Sequence, residues 1–299
     1  MIWFSALTAQ SRGILFMLTS VTFFSLMDAV AKRLSGEVDL SQILWARYGG
    51  QLLILVVLFA PRLKTVLKTQ HPNLQILRGF LQLTAAACFF AALKTQGLAE
   101  ATAVADLAPV LITLGAALLL GEKVGSRRIM GIIAALIGAL IIIRPGASVF
   151  SFASLWPLGS AVCLAGYALS TRYIGTKENP FTALLYSGLI CTAIMSLIVP
   201  FRWVAPSGEA LMLMAVMGAL GAIGQFMMIR AYAAAEASAI APFSYAGLLT
   251  ASVWGMVFFN QLPDFWTVIG ALVIVAAGLY VWHREKQTRV PPAANLPQK

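Results

Sequence analysis

Two stretches decide how this chain reads: GLAEATAVADLAP, from Gly97 to Pro109, and AAAEASAIAPFSY, from Ala233 to Tyr245. They align at an offset of 136 residues, so that Glu100 meets Glu236, Thr102 meets Ser238, Val104 meets Ile240, and Ala101, Ala103 and Ala105 meet alanines. The same offset brings Lys94 onto Arg230, just ahead of each stretch. Apolar, alanine-rich sequence gives chance matches, but the aligned acid and base lift this one above chance. The chain therefore reads as two copies of one unit.

The material around these stretches belongs in a bilayer. The 299 residues are 60% hydrophobic and only 11% charged, against roughly a quarter charged in soluble domains. Apolar runs between Pro, Gly and charge breaks predict helices over Gly13–Leu34, Leu40–Ala60, Gln75–Leu93, Leu98–Leu120, Ser126–Ile143, Leu155–Thr171, Phe181–Val199, Ala210–Ile229, Ala237–Phe259 and Phe265–Trp282. Runs of about 20 apolar residues are spanning helices. The fold class expected is thus an all-α membrane protein of ten transmembrane helices.

Lys and Arg orient those helices, because basic residues in short connections stay on the cytoplasmic side. Fourteen fall on one side, from Arg12 through Lys68, Lys123, Arg128, Lys177 and Arg230 to the tail, and five on the other: Lys32, Arg33, Lys94, Arg144 and Arg202. Arg47 and Arg78 complete the 21 and lie inside apolar runs. Both termini are expected in the cytoplasm, with a first repeat at 13–146, a second at 152–284, and a disordered tail at 285–299. Five is odd, so the two copies run in opposite directions. Inverted repeats of this kind serve secondary transporters, since two halves exchanging conformations open one central site to either side.

Composition also excludes functions. The net charge of +10 comes without a basic patch interleaved with aromatics, so no nucleic-acid partner is expected. Cys88, Cys163 and Cys191 lie in apolar runs without CxxC spacing, and His71 and His283 are the only histidines, so neither a metal nor another cofactor is expected. The segment before Arg12 is too short for a separate signal peptide. Neither H-E-x-x-H, G-x-S-x-G nor a P-loop occurs, which argues against an enzyme and against ATP-driven transport. A filter-like loop or ring of charges, as a channel would carry, is not visible either.

At this point a family resemblance can be stated. The segment A-E-A-T-A-V…L-A-P-V ending in L-L-L-G-E-K (Ala99 to Lys123), followed by G-I-I-A-A-L-I-G-A-L-I-I-I-R-P-G (Gly131 to Gly146), resembles the drug/metabolite transporter superfamily in its ten-helix EamA-domain branch. The second half carries a weaker copy, with Asn260 and Gln261 where Gly121 and Glu122 stand, and Pro242 three residues ahead of the counterpart of Pro109. The resemblance implies a bacterial inner-membrane carrier of a small organic metabolite, amino-acid-like or cofactor-like, working by exchange or proton coupling as a monomer or homodimer. Asp28, Arg47 and Leu77-Arg78-Gly79 resemble members that import S-adenosylmethionine or riboflavin. A membrane sensor or assembly factor on the same fold is the alternative.

Ionisable residues inside spans are costly and face a cavity or a partner. At 1.5 Å per residue, Asp28, Arg47 and Asp106 lie roughly 9, 10 and 12 Å below the same membrane face. Asp28 could pair with Arg47, or with Lys32 one turn above it. Asp106 has no partner in sequence, and is the expected proton carrier or counter-charge for a cationic solute. Pro109 and Pro242 deny a hydrogen bond to the carbonyls of Ala105 and Ser238, bending both matched segments. Glu100 and Glu236 suit helix starts, and Arg78, near a helix end, is expected to snorkel. Tyr167, Tyr186, Gln225, Phe243, Tyr245 and Trp254 place polar edges or aromatic faces in apolar helices of the second half. Each taken alone fits packing, but together they outline mixed walls suited to an amphiphilic solute.

Overall fold

Residues 8–120, 126–144, 152–174, 179–234 and 241–288 are described by a computed structural model, and they form helices, turns and loops with no strand among them. The first helix, α1 (Ala9–Leu34), is capped by the Thr8 hydroxyl, which accepts the Ser11 N–H at 3.2 Å. Then α2 (Leu40–Phe59) begins at a capping box, in which Asp39 accepts from the Ser41 N–H and Gln42 reaches back to the Asp39 N–H. A single turn (Leu63–Val66) leads to α3 (Pro72–Leu93), with proline at the position where a missing N–H costs nothing.

The expected fourth span is two helices, α4 (Leu98–Ala105) and α5 (Ala108–Leu120). Between them the Leu107 N–H goes to the Val104 carbonyl and the Val110 N–H to that of Leu107. The α-helical ladder is thus interrupted at Asp106, just ahead of Pro109, whose ring has no N–H to offer Ala105. Beyond it come α6 (Ser126–Ile143), α7 (Trp156–Ile174), α8 (Pro180–Ile198) and α9 (Gly208–Ala234). In the second copy a 3-10 turn, Ala241–Tyr245, precedes α10 (Ala246–Phe259). The closing helix α11 (Phe265–Thr288) runs past the expected end at Trp282 and into the segment read as a tail. Glu236, Ser238 and Ile240, and the Gly121–Lys123 part of the first motif, lie outside the described residues. At Asn260 the backbone turns left-handed, φ 52°, with the Gln261 N–H on the Gly255 carbonyl. That is the cap glycine usually makes, and it accounts for Asn260 standing where the first copy has Gly121.

Contacts between helices come in twins. α1 lies along α9 as α3 lies along α7; α2 touches α9 as α3 touches α8; α1 meets α10 as α7 meets α4 and α5. The remaining major contacts, α2 with α8, α6 with α11 and α4 with α10, each join one element to its own counterpart. This is the pattern two copies make around a pseudo-twofold axis. Small residues set the spacing: a methyl group on Gly138 of α6 would come 2.9 Å from the Gly270 carbonyl of α11, and one on Gly270 would come 2.6 Å from that of Gly138.

The main core gathers Met27, Ile43, Tyr48, Phe90, Leu93 and Met217, and a second gathers Leu107, Ala139 and Ile274 where α5, α6 and α11 meet. Outside, Leu53, Val57 and Leu58 of α2 and Ile133, Ile137 and Leu140 of α6 are exposed. Apolar side chains so displayed suit a lipid solvent. Among the described residues, five helices are long and apolar enough to cross a bilayer, and three shorter apolar helices accompany them.

Candidate functional site

Asp28 of α1 and Arg47 of α2 are brought into electrostatic reach of one another. They do not touch as an ion pair within the described residues. The Arg47 guanidinium lies 5.2 Å from the ring centres of both Tyr48 and Phe90, and its Nε is enclosed without a hydrogen-bond partner. Aromatic faces carry negative charge density and hold the cation. Lys32 is not the partner of Asp28. Its ammonium donates to the carbonyls of Leu93 (3.2 Å) and Gln96 at the end of α3 and sits 5.5 Å from the Phe259 ring.

Asp106 caps α4 at the break, and its Oδ2 is enclosed with no hydrogen-bond partner. Arg47 does not serve it: no cation among the described residues acts on Asp106, which lies instead within electrostatic reach of Tyr245. Among the described residues Asp28 and Asp106 therefore share no cation. The Tyr245 hydroxyl is itself enclosed and unpartnered, in space left by Gly278 of α11, where a side chain would overlap it. One member of this second group thus comes from the break between α4 and α5 and the other from the 3-10 turn ahead of α10.

The other sequence candidates separate. Tyr167 of α7 faces inward and meets Arg78. Trp254 stacks on Phe258 at 5.5 Å, with its indole N–H enclosed and unpartnered. Tyr186 is placed elsewhere, because its hydroxyl donates to the Leu67 carbonyl (3.0 Å) in the α2–α3 connection. Phe243 packs beside Met17 and Ala231. Gln225 follows Gly224, whose carbonyl takes the Ser20 hydroxyl at 2.7 Å. Pro109 sits in the first turn of α5, and Pro242 in the 3-10 turn, its side chain outside the described residues.

Arg78 is a correction. Expected to snorkel, it is buried at 2% exposure, with its guanidinium on Gln75 (3.1 Å) and the Tyr167 hydroxyl (3.4 Å). The cause is its neighbour: Gly79 lets α3 close onto Ile190 of α8, where a methyl group would come within 2.9 Å. The available signal was Gln75, one turn earlier on the same face.

A cavity of about 630 Å³ opens at the end that carries the α1–α2 and α3–α4 connections, lined by Lys32, Arg33, Lys94, Gln96, Phe259 and Gln261. Lys32 borders it, and Asp28 lies one helical turn further in. An ionic link from Arg33 to Glu37 (3.4 Å) and Glu209 (3.2 Å) ties α1 to α9 at this end, and Arg144 binds Asp264, joining α6 to α11.

Comparison with known proteins agrees with this construction. The EamA-like transporter family matches twice, at residues 11–144 and 151–282. A riboflavin transporter of Vibrio cholerae is 31% identical over 93% of this chain and 96% of its own length. An S-adenosylmethionine uptake transporter of Rickettsia prowazekii is 27% identical over 95% and 96%, and a pseudopaline exporter of Pseudomonas aeruginosa is 28% identical over 90% and 94%. One crystal structure, 20% identical, superposes with a TM-score of 0.66 over 94% of this chain and 99% of that one, which shows a shared fold. Twice-matched, multi-pass and similar end to end to named carriers, the chain belongs to the EamA-like transporter family and is a membrane transporter of small metabolites.

Proposed function

We propose that this protein carries an amphiphilic organic solute, amino-acid-like or cofactor-like, by alternating access between two inverted five-helix halves that together span the membrane ten times. The observation that carries the reading is that Asp106, at the break between α4 and α5, and Tyr245, in the 3-10 turn ahead of α10, are enclosed, unpartnered polar groups within electrostatic reach of each other. A broken helix with polar atoms at depth is tolerated where it lines a site. Asp28, Arg47, Tyr167 and Trp254 extend the walls, and exchange or proton coupling drives the cycle. The relatives are named for riboflavin, S-adenosylmethionine uptake and pseudopaline export, so uptake and export both occur on this plan.

Both termini lie in the cytoplasm of a bacterial cell, at the inner membrane, and the cavity at Lys32 faces out. Reporter fusions after Lys68 and Lys177 are expected to score cytoplasmic, and fusions after Gly36 and Pro263 external; an external tail at Gln287 would overturn the inverted arrangement. Transport itself is tested by counterflow. Proteoliposomes loaded with unlabelled riboflavin or S-adenosylmethionine should transiently accumulate the labelled form, and a protein that only senses a solute shows no counterflow.

A further inference from the structure

Among the described residues, Arg78 is a cation without an acid. It is 2% exposed, and its contacts are neutral: the Gln75 amide at 3.1 Å, the Tyr167 hydroxyl at 3.4 Å, and the Tyr167 ring with its centre 5.1 Å from the guanidinium carbon. Its Nε has no partner, and four residues on, on the same face of α3, the Gln82 Oε1 is enclosed and unpartnered as well. No carboxylate among the described residues lies within ion-pair distance of it. Removing a guanidinium from water is expensive unless an opposite charge and hydrogen bonds replace the lost hydration. Arg47 has the carboxyl of Asp28 within electrostatic reach, whereas Arg78 has an amide and a phenol. A planar fork with unused N–H donors is the geometry that takes a carboxylate or phosphate by two parallel bonds.

We infer that Arg78 anchors an anionic group, carboxylate or phosphate, on the transported solute, with Gln75 orienting the fork and the Tyr167 ring supporting one side of it. The inference rests on the carrier reading and narrows its solute class. Six residues into α3, Arg78 is about 9 Å from the start of that helix, on the side opposite the Lys32 cavity. A solute entering past Lys32 and one released past Pro72 would therefore meet Asp28 and Arg78 in turn. The ligand supplies the counter-charge that the fold withholds, so the occupied carrier is better compensated than the empty one.

The test uses the full chain in detergent and in proteoliposomes, with matched probes that differ in one anionic group: methionine against methioninamide, and riboflavin against flavin mononucleotide. In the wild type the anionic member of one pair should raise the melting temperature at about tenfold lower concentration than its neutral partner; the first pair reports a carboxylate, the second a phosphate. Arg78→Gln should abolish that preference, and the empty variant should melt no lower than the wild type, because an uncompensated charge has gone. Arg78→Lys, which keeps the charge and loses the fork, should keep part of the preference. Equal response to both members of both pairs in the wild type, including no response, overturns the inference, as does an undiminished preference in Arg78→Gln. If Arg78→Gln fails to fold while Arg78→Lys folds with a weakened preference, the inference stands; failure of both to fold makes Arg78 a structural cation and overturns it. Counterflow separates the two readings. Wild-type counterflow without anion preference removes the Arg78 assignment alone, whereas an Arg78-dependent anion preference without counterflow removes the carrier.

Discussion

Gly50 of α2 and Gly218 of α9 meet backbone to backbone, so that a methyl group added to Gly50 would come 2.8 Å from the Gly218 Cα and one added to Gly218 would come 2.7 Å from the Gly50 Cα. No side chain stands between them to yield. Gly50→Ala and Gly218→Ala are each expected to cost about 1–3 kcal/mol, the range for overpacking, read as a lower melting temperature of the purified protein. The double variant should depart from additivity, because the sites are in contact. Gly208→Ala, which meets nothing within 4 Å, serves as the neutral control.

Asp28 and Arg47 attract without touching, which sets the size of their coupling. Asp28→Asn and Arg47→Gln should each impair folding or transport, and together do less harm than the sum, with a coupling of roughly 0.5–3 kcal/mol. Lys32→Met should show no such coupling to Asp28, because its ammonium is engaged by Leu93 and Gln96. Strictly additive losses in the Asp28–Arg47 cycle would refute the pairing.

If the proposed carrier is proton-coupled, Asp106 is the group expected to carry the proton, since its Oδ2 is enclosed without a hydrogen-bond partner and the Tyr245 hydroxyl, within its electrostatic reach, is enclosed as well. A carrier that moves one proton per solute can sustain about tenfold accumulation for one pH unit. Asp106→Asn should bring that accumulation to unity while counterflow of bound solute continues; Tyr245→Phe should reduce it less. Wild-type accumulation in Asp106→Asn would assign proton coupling elsewhere.

Outside the membrane, Asp264 gives a pH signature. Partial burial pushes its carboxyl upward, but the Thr267 backbone N–H, donating at 2.8 Å, and the Arg144 guanidinium outweigh this and hold it below its ordinary value of 3.8. A depressed carboxyl stabilises the fold above its unfolded value and loses that contribution as pH falls through the folded one. With Arg144 and Asp264 30% and 39% exposed, solvent screening limits the pair to about 0–1 kcal/mol. Arg144→Gln should therefore lower the melting temperature slightly at pH 7, and the difference should vanish on acidification below pH 3.8.

Much of this was legible in sequence because a bilayer simplifies the alphabet: apolar runs mark helices, and rare charges stand out. Asp28 and Arg47 declared themselves by equal depth, and the break near Asp106 by Pro109. What sequence hides is rotation about each helix axis. Arg78 lies near the end of α3, so depth alone sends it to the interface; the fit of Gly79 against Ile190 turns it inward instead. Tyr186 and Tyr167 look alike in an apolar run, yet one hydroxyl holds a loop carbonyl and the other meets a buried guanidinium. Lys32 likewise has Asp28 one turn away, but the open carbonyls at the end of α3 claim it.

An unbroken α-helix is a stiff beam, whose bending must stretch or sever backbone hydrogen bonds. α4 and α5 have already given up that ladder between Ala105 and Ala108, and in the second copy a 3-10 turn stands directly ahead of α10. The break in the first copy is a joint between two levers, so tilting one lever against the other leaves the remaining backbone bonds intact. The resistance to such a movement would then reside in side chains around the joint, Asp106 among them, and under the proposed carrier reading a bound solute that rearranged those side chains would adjust the friction of the joint directly.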